Sequence, residues 1–267
     1  MISDDRRQVM QSLAAQLAEC WPDPSQPVVL KRTQFPRDRS EAYMVQDHMA
    51  ALLAGGQCGW KVGATSARMR ELDGHDDIIP GRILSSRCYI GASQHLPARL
   101  FPNARVETEF GFELIADPAD CRGDFRAETV APLLVLRPAL EIIGNRYRST
   151  EASKAENSLL TIADNGGGMA FVFGDPVPDW QRIDFPQQRI RLTVDGGSEA
   201  ENFLGPMRCQ PAEAVADLLN HLAGRGITMK KGDFVSTGAA TVPQPITAGS
   251  RVEADFGEIG RMYLELE

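Results

Sequence analysis

Arg105-Val106-Glu107-Thr108-Glu109-Phe110-Gly111-Phe112-Glu113-Leu114 alternates apolar and polar residues along most of its length. Period-two alternation marks a strand, and residues two apart on a strand share a face. Glu107 and Glu109 therefore point together, while Val106, Thr108, Phe110 and Phe112 point to the other side. Two carboxylates on one face repel, and they must be solvated, paired with cations or bound to a metal. Glu113 shares that face but stands about 13 Å along the strand from Glu109, which makes it a weaker ligand candidate. A wet outer face of an edge strand is the plainer explanation of such alternation, and these residues alone leave it open.

A third acid narrows the choice. In Leu133-Leu134-Val135-Leu136-Arg137-Pro138-Ala139-Leu140-Glu141-Ile142-Ile143, Glu141 is wedged between Leu140 and Ile142. Burying it is costly unless a cation or strong donors compensate. A salt bridge to Arg137 or Arg146 competes with a ligand role. Three oxygen donors with no His or Cys nearby suit a hard ion such as Mg²⁺, Mn²⁺ or Ca²⁺ better than zinc.

Outward from these stretches, Ile190, Leu192 and Val194, then Val252, Ala254 and Phe256, then Met262, Leu264 and Leu266 alternate as further strands. Asp195-Gly196-Gly197 reads as a hairpin turn. Helices read earlier in the chain: Val9, Leu13 and Leu17, flanked by Met10 and Ala14, form one stripe that Pro22, Pro24 and Pro27 stop. A second helix, carrying Met44, Val45, Met49, Leu52 and Leu53, is expected to start at an N-cap Ser40 and end at Gly55-Gly56. One more, begun by Pro211, carries Val215, Leu218, Leu219 and Leu222. The arrangement is α+β, with a helical segment over 1–57 and a β-rich part over 58–267.

The 267 residues carry 28 Lys plus Arg against 36 Asp plus Glu, a net charge of −8. An acidic chain without a dense basic run is a poor phosphate-backbone binder, which excludes nucleic acid as an expected partner. The longest aliphatic run, Leu133–Leu136, is far short of the roughly 20 residues of a membrane span. The opening MISDDRRQ has no apolar region of the signal-peptide kind. Cys20, Cys58, Cys88, Cys121 and Cys209 are scattered, without a CxxC pair, and read as reduced thiols of a cytoplasmic protein.

Five segments, taken in order, resemble the fumarylacetoacetate hydrolase superfamily, and within it the 2-keto-4-pentenoate (2-hydroxypenta-2,4-dienoate) hydratases and 4-oxalocrotonate decarboxylases. Gly59-Trp60-Lys61-Val62-Gly63-Ala64-Thr65-Ser66 resembles GYKVGLTS, Arg105 to Leu114 resembles RVEAEIAFVL, and Pro138 to Ile143 resembles PAIEII. Ile162-Ala163-Asp164-Asn165 resembles IADNAS, and Lys231 to Gly238 resembles AGDVILTG. The resemblance implies a helical N-terminal part packed on a mixed β-roll and a homo-oligomer. It also implies Mg²⁺ or Mn²⁺ held by Glu107, Glu109 and Glu141, chelating the carboxylate and C2 oxygen of a 2-oxo or 2-hydroxy-dienoic acid and stabilising its enolate. The implied reaction is hydration to a 4-hydroxy-2-oxo acid. Decarboxylation, C–C hydrolysis and an inactive metal-binding homologue are the alternatives.

For the other site residues the expectations are these. Lys61, on an apolar strand, is a general acid/base or carboxylate anchor whose pKa burial would lower; a snorkelling strand-end lysine is its plainer reading. Asn165, before Gly166-Gly167-Gly168, offers its amide to substrate, with Arg146, Asp164, Gly167 and Thr237 as substrate contacts. The family's PDFG acid is missing: Ile78-Ile79-Pro80-Gly81 stands there, and Asp77, like Asp76 two or three residues away, is the candidate to replace it. His48, His75, His95 and His221 lie outside the matched motifs, and His75 is near that missing acid.

Overall fold

The computed structural model describes residues 2–118 and 124–267; Cys121 lies outside them. Ser3 caps the first helix, α1 (Asp4–Glu19), by accepting a hydrogen bond from the Arg6 backbone N–H at 3.3 Å. The second, α2 (Arg39–Leu52), starts one residue before Ser40, because Asp38 is the cap and accepts from Glu41 N at 2.9 Å. Met10, Leu13 and Leu17 of α1 pack with Val45 and Met49 of α2 in one buried cluster. The α1 stripe is thus covered within the chain and gives no support to a subunit contact. Arg6 and Glu41, both buried, pair at 2.6 Å and bind the two helices together.

Beyond Gly56 the chain turns to strands. Strand β1 (Gln57–Gly63) is followed by helix α3 (Ala67–Asp73), then by β2 (Ile79–Leu84), β3 (Cys88–Ile90), β4 (Ser93–Leu96), β5 (Arg105–Leu114) and β6 (Leu134–Ile143). Helix α4 (Lys154–Ala163), β7 (Gly168–Phe173), β8 (Arg191–Val194), α5 (Pro211–Gly224), β9 (Phe234–Ala239), β10 (Arg251–Asp255) and β11 (Arg261–Leu266) complete the principal elements. The larger sheet runs β2-β1-β9-β5-β6-β7-β3, with Gln244–Pro245 also pairing to β5. It is mixed: β9 is parallel to β1 and β3 to β7, and the other neighbours are antiparallel. Its first strand, β2, also contacts β7 near the far edge, so the sheet curls on itself. A second sheet, β8-β10-β11-β4, lays Leu192, Val252, Ala254, Met262 and Leu264 on the same core as Phe110 and Phe112. Full burial of side chains of that size contributes about 1.5–3 kcal/mol each.

The fold is α+β with a curled mixed sheet, as the sequence patterns indicate. β5 departs from its plainer reading. It lies between β9 and β6 at the middle of the sheet, and both its faces are buried from Val106 to Phe112. Helices α3 and α4 went unread in the sequence, although each carries a start signal. Ser66 accepts from Met69 N at 3.3 Å, and Ser153 with Glu156 forms a reciprocal capping box. Among the described residues no helix is long and apolar enough to cross a membrane.

His221 of α5 sits against Tyr43 of α2, ring centroids 5.1 Å apart, with Arg225 and Arg39 close to the same tyrosine. Burial first, and then the two guanidinium charges, push the His221 pKa from 6.5 down to about 4. The unfolded imidazole takes up its proton near 6.5 and the folded one only near 4. Stability that is fully present above pH 6.5 is therefore lost as pH falls through that window. The melting temperature of the wild type is expected to fall more steeply between pH 6.5 and 4 than that of His221→Leu. Parallel slopes in thermal denaturation would contradict this.

Candidate metal centre

The β5–β6 register places Glu107 directly opposite Glu141, and Ala139 opposite Glu109. One carboxylate oxygen from each of Glu107, Glu109 and Glu141 lies within 4.8 Å of the others. All three side chains are buried. Glu109 is held from β9: Gly238 N donates to its Oε2 at 2.8 Å, and the Ser236 hydroxyl makes a short hydrogen bond to the same atom. Its Oε1 and both oxygens of Glu141 are buried without a hydrogen-bond partner. Buried carboxylate oxygens without partners are costly unless a cation meets them. Neither arginine weighed as a partner for Glu141 reaches it. Arg137 pairs with Glu113 at 2.7 Å and Arg146 with Asp164 at 2.6 Å.

The cation beside Glu141 is Lys61, whose Nζ is 3.4 Å from Oε1 and donates a hydrogen bond to Gly166 O at 2.8 Å. Its stem runs between glycines: a Cβ at Gly166 would stand 2.9 Å from Lys61 Cδ, and one at Gly81 would stand 3.1 Å from it. Burial disfavours the ammonium, but Glu141, Glu109 and Glu107 outweigh it and hold the Lys61 pKa above its ordinary value. The expectation of a lowered lysine pKa is thereby corrected, since three carboxylates face the amine. Burial and the neighbouring acids push Glu107 and Glu141 well above the usual carboxylate range, with Lys61 relieving them in part. When all three carboxylates are ionised, the single ammonium leaves two negative charges, the complement of a divalent ion. The donor set is all oxygen, so the residues fit a hard divalent cation.

Glu107 and Glu109 line a cavity of about 500 Å³ together with Lys61, Gly166, His75 and Arg105. Ile79, Met69, Phe203, Met207 and Val242 supply apolar wall. Arg105 and His75, with Thr65, Ser66 and Thr161 from the neighbouring turn and helices, are cavity groups that strand periodicity did not single out.

Several expected site residues are placed elsewhere. Asp77 is exposed and accepts from Ile78 N, outside the cavity lining, while Ile79 lines it. Asn165 is buried, and both ends of its amide are committed to Arg82: Oδ1 accepts from the backbone N–H at 2.6 Å and Nδ2 donates to the carbonyl at 2.9 Å. Asp164 and Arg146 form a buried ion pair, with Arg146 also donating to the Asp164 and Gly168 carbonyls. They clamp the turn that presents Gly166 O. Gly167, at φ 76°, donates its N–H to Asp164 O within that turn. The Thr237 hydroxyl donates to Phe110 O at 2.6 Å, joining β9 to β5. None of these six residues lines the cavity. Each hydrogen bond runs between segments far apart in sequence or within a turn, which strand and motif patterns do not encode.

A curled mixed sheet brings three buried glutamates together as an all-oxygen donor set, and two of them, Glu107 and Glu109, line the cavity. Comparison with known proteins finds similar enzymes. No family model matches the chain. It is 28% identical over 229 residues to the 2-hydroxyhexa-2,4-dienoate hydratase of Comamonas testosteroni, covering 84% of this chain and 85% of that one. It is 27% identical over 262 residues to the 2-keto-4-pentenoate hydratase of Paraburkholderia phymatum, covering 97% of each. Among solved structures, 4-oxalocrotonate decarboxylase from Pseudomonas putida G7, complexed with calcium and acetate, superposes with a TM-score of 0.83 at 19% identity, covering 100% of this chain and 99% of that one. The same decarboxylase is known complexed with magnesium and adipate. The resemblance read from the five motifs is borne out: the curated relatives are hydratases and decarboxylases of this kind, and proteins of the fumarylacetoacetate hydrolase family share the fold.

Asn165→Ala is expected to destabilise the protein by about 2–4 kcal/mol, from two lost hydrogen bonds to Arg82 and a φ of 56° that suits Asn better than Ala. Asn165→Gly should lose less, because glycine adopts that φ freely. Urea denaturation of the two variants checks the order, and equal losses would remove the backbone contribution.

Proposed function

We propose that the protein is a divalent-metal-dependent hydro-lyase that adds water to a 2-hydroxy-dienoate, through its 2-oxo-enoate form, to give a 4-hydroxy-2-oxo acid. The observation that carries this reading is the convergence of Glu107, Glu109 and Glu141 beside a cavity of substrate size, with Glu109 Oε1 and Glu141 Oε2 buried without a partner. Glu107, Glu109 and Glu141 would hold Mg²⁺ or Mn²⁺. When bound, that ion supplies Lewis-acid stabilisation of negative charge on the substrate carboxylate and C2 oxygen. Lys61, kept charged by the carboxylates and seated on Gly166 O, serves as a cationic anchor and proton donor; a base role does not suit an ammonium so placed. Gly238 and Ser236 orient Glu109, and Arg146 with Asp164 holds the Gly166 turn in register. The apolar wall of Ile79, Met207 and Phe203 excludes water around the carbon chain. Cytoplasmic location, homo-oligomeric assembly and a 1–57 helical unit complete the reading.

Decarboxylation is the second reading. It rests on Ile79 and Asp77, which leave the cavity without a carboxylate outside the glutamate trio among the described residues. Loss of CO₂ needs an electron sink but no base for water.

With Mg²⁺ and 2-hydroxypenta-2,4-dienoate, the conjugated-dienol absorbance is expected to fade as 4-hydroxy-2-oxopentanoate appears by mass spectrometry. CO₂ release from 4-oxalocrotonate instead would favour the second reading, and inertness toward all such acids would refute both. Glu107→Ala and Glu109→Ala are each expected to abolish Mn²⁺ binding in calorimetry while the protein stays folded; retention of full affinity would refute the ligand assignment. Lys61→Ala should lower kcat about 10²–10⁴-fold, the range of a lost proton donor, with a smaller change in KM.

A further inference from the structure

A dienoate held at the glutamates by its carboxylate and C2 oxygen extends the rest of its carbon chain into the cavity. Much of what that chain meets comes from one loop. Residues 203–209 bring Phe203, Met207 and Cys209 to the cavity wall. The loop is fixed along its length. Phe203 N donates to Ala240 O at 3.0 Å, the Ser66 hydroxyl to Pro206 O at 2.8 Å, and the Cys209 thiol to Thr237 O at 3.2 Å. Arg208 is buried, and its guanidinium donates to the carbonyls of Phe185, Gln188 and Ala240. The Ser66 hydroxyl also accepts from Met69 N at 3.3 Å, so one side chain sets this loop against the first turn of α3. Met69 thereby joins Phe203 and Met207 in the wall, and all three are half-buried. An apolar surface held in this way exists before any ligand binds, and it favours an apolar group at little ordering cost.

The loop brings no free cation to that wall. Arg208 is turned to backbone carbonyls, and Arg70, next to Met69, donates to Ala64 O at 2.9 Å. Lys61 stands beside Glu141. Arg105 shares the β5 face of Glu107, where its charge is felt, and donates to Pro243 O at 2.7 Å. A second carboxylate carried against Phe203 and Met207 would lose its water without gaining a cation from them, which is costly. A five-carbon dienoate has only C3 to C5 beyond its chelating end. That is little to cover three large side chains in a cavity of about 500 Å³.

We propose that the substrate is a 2-hydroxy-dienoate with one carboxylate and an alkyl group on C5, and that Met69, Phe203 and Met207 select for that group. This deepens the hydratase reading above and rests on it.

A chain-length series in the Mg²⁺-loaded enzyme is the test. From 2-hydroxypenta-2,4-dienoate to 2-hydroxyocta-2,4-dienoate, kcat/KM is expected to rise about tenfold or more, since one methylene in an apolar pocket is worth about 10–200-fold. 2-Hydroxyhexa-2,4-dienedioate, with its second carboxylate, should fall below both. Phe203→Ala and Met207→Ala are each expected to cut the octadienoate-to-pentadienoate ratio about tenfold, whatever they do to kcat itself. Calorimetry with saturated acids reads the same wall without turnover: 2-oxooctanoate should bind about tenfold more tightly than 2-oxopentanoate. If Phe203→Ala does not fold, Met207→Ala and the calorimetric pair carry the test. A ratio near one in the wild type, a preference for the dioate, or an unchanged ratio in the folded variants overturns this assignment and leaves the hydratase reading standing. If the wild type hydrates no dienoate, the hydratase reading falls. Equal affinity for the two oxo acids then removes the apolar wall as a selector too, whereas tighter binding of 2-oxooctanoate retains it.

Discussion

Three carboxylates buried within reach of one another, with a single ammonium beside them, are the constraint around which the rest of this structure is arranged. In low dielectric such charges repel strongly, and burial alone pushes their pKa values upward. A fold does not retain that cluster for stability, because apolar side chains of similar volume would pack at lower cost. The surplus of two negative charges states what is missing from the protein's own atoms. On the proposed reading a divalent cation would meet Glu109 Oε1 and Glu141 Oε2 and balance the charge together.

Holding the cluster takes the central part of the sheet. β5 and β6 face Glu107 to Glu141 by register, β9 adds the Ser236 and Gly238 donors to Glu109, and β1 threads Lys61 through a glycine-walled channel. Lys61 then depends on the turn after α4, because Gly166 O is its hydrogen-bond acceptor. That turn is fixed twice, by the Arg146–Asp164 pair and by the Asn165 amide on Arg82. The cation–π contact of Arg146 with Trp21, 4.5 Å from guanidinium carbon to ring centroid, ties the same clamp to the segment after α1.

The division between legible and hidden features follows from range. Strand alternation around Val106–Leu114 and Met262–Leu266 is local, and so is the pairing of Glu107 with Glu109 on one face. These were open to reading. That β5 is central could not be read from β5 itself, because its neighbours come from residues 134–143 and 234–239. Asp164, Asn165 and Thr237 belong to matched motifs and Arg146 follows one, yet their side chains hold neighbouring segments and do not line the cavity. Motif membership marks a position as important without saying whether it touches substrate or holds something that does. Cap signals at Ser66 and Ser153 were local and legible, and they would have supplied α3 and α4, which bring Met69 and Thr161 to the cavity wall.

The same distinction bears on how the chain divides labour between floor and wall. The floor of the cavity is charged, buried and fixed by backbone register, so its composition tolerates little change. The wall comes from the segment after α3, from α4, and from the loops that carry Phe203, Met207 and Val242. A loop residue can be exchanged without moving a strand, so the wall can change while the three glutamates stay in place. Ile79, which lines the cavity where the family resemblance implies an acid, is such a wall residue. It alters which side chain meets the carbon chain and leaves the three glutamates in place. On the proposed reading, a cation bound by the glutamates would also stabilise the fold by mass action, because the unfolded chain does not bring residues 107, 109 and 141 together. Stability without the ion is lowered by the same repulsion that makes the site bind it, and so the floor is the part of the molecule where function and folding are least separable.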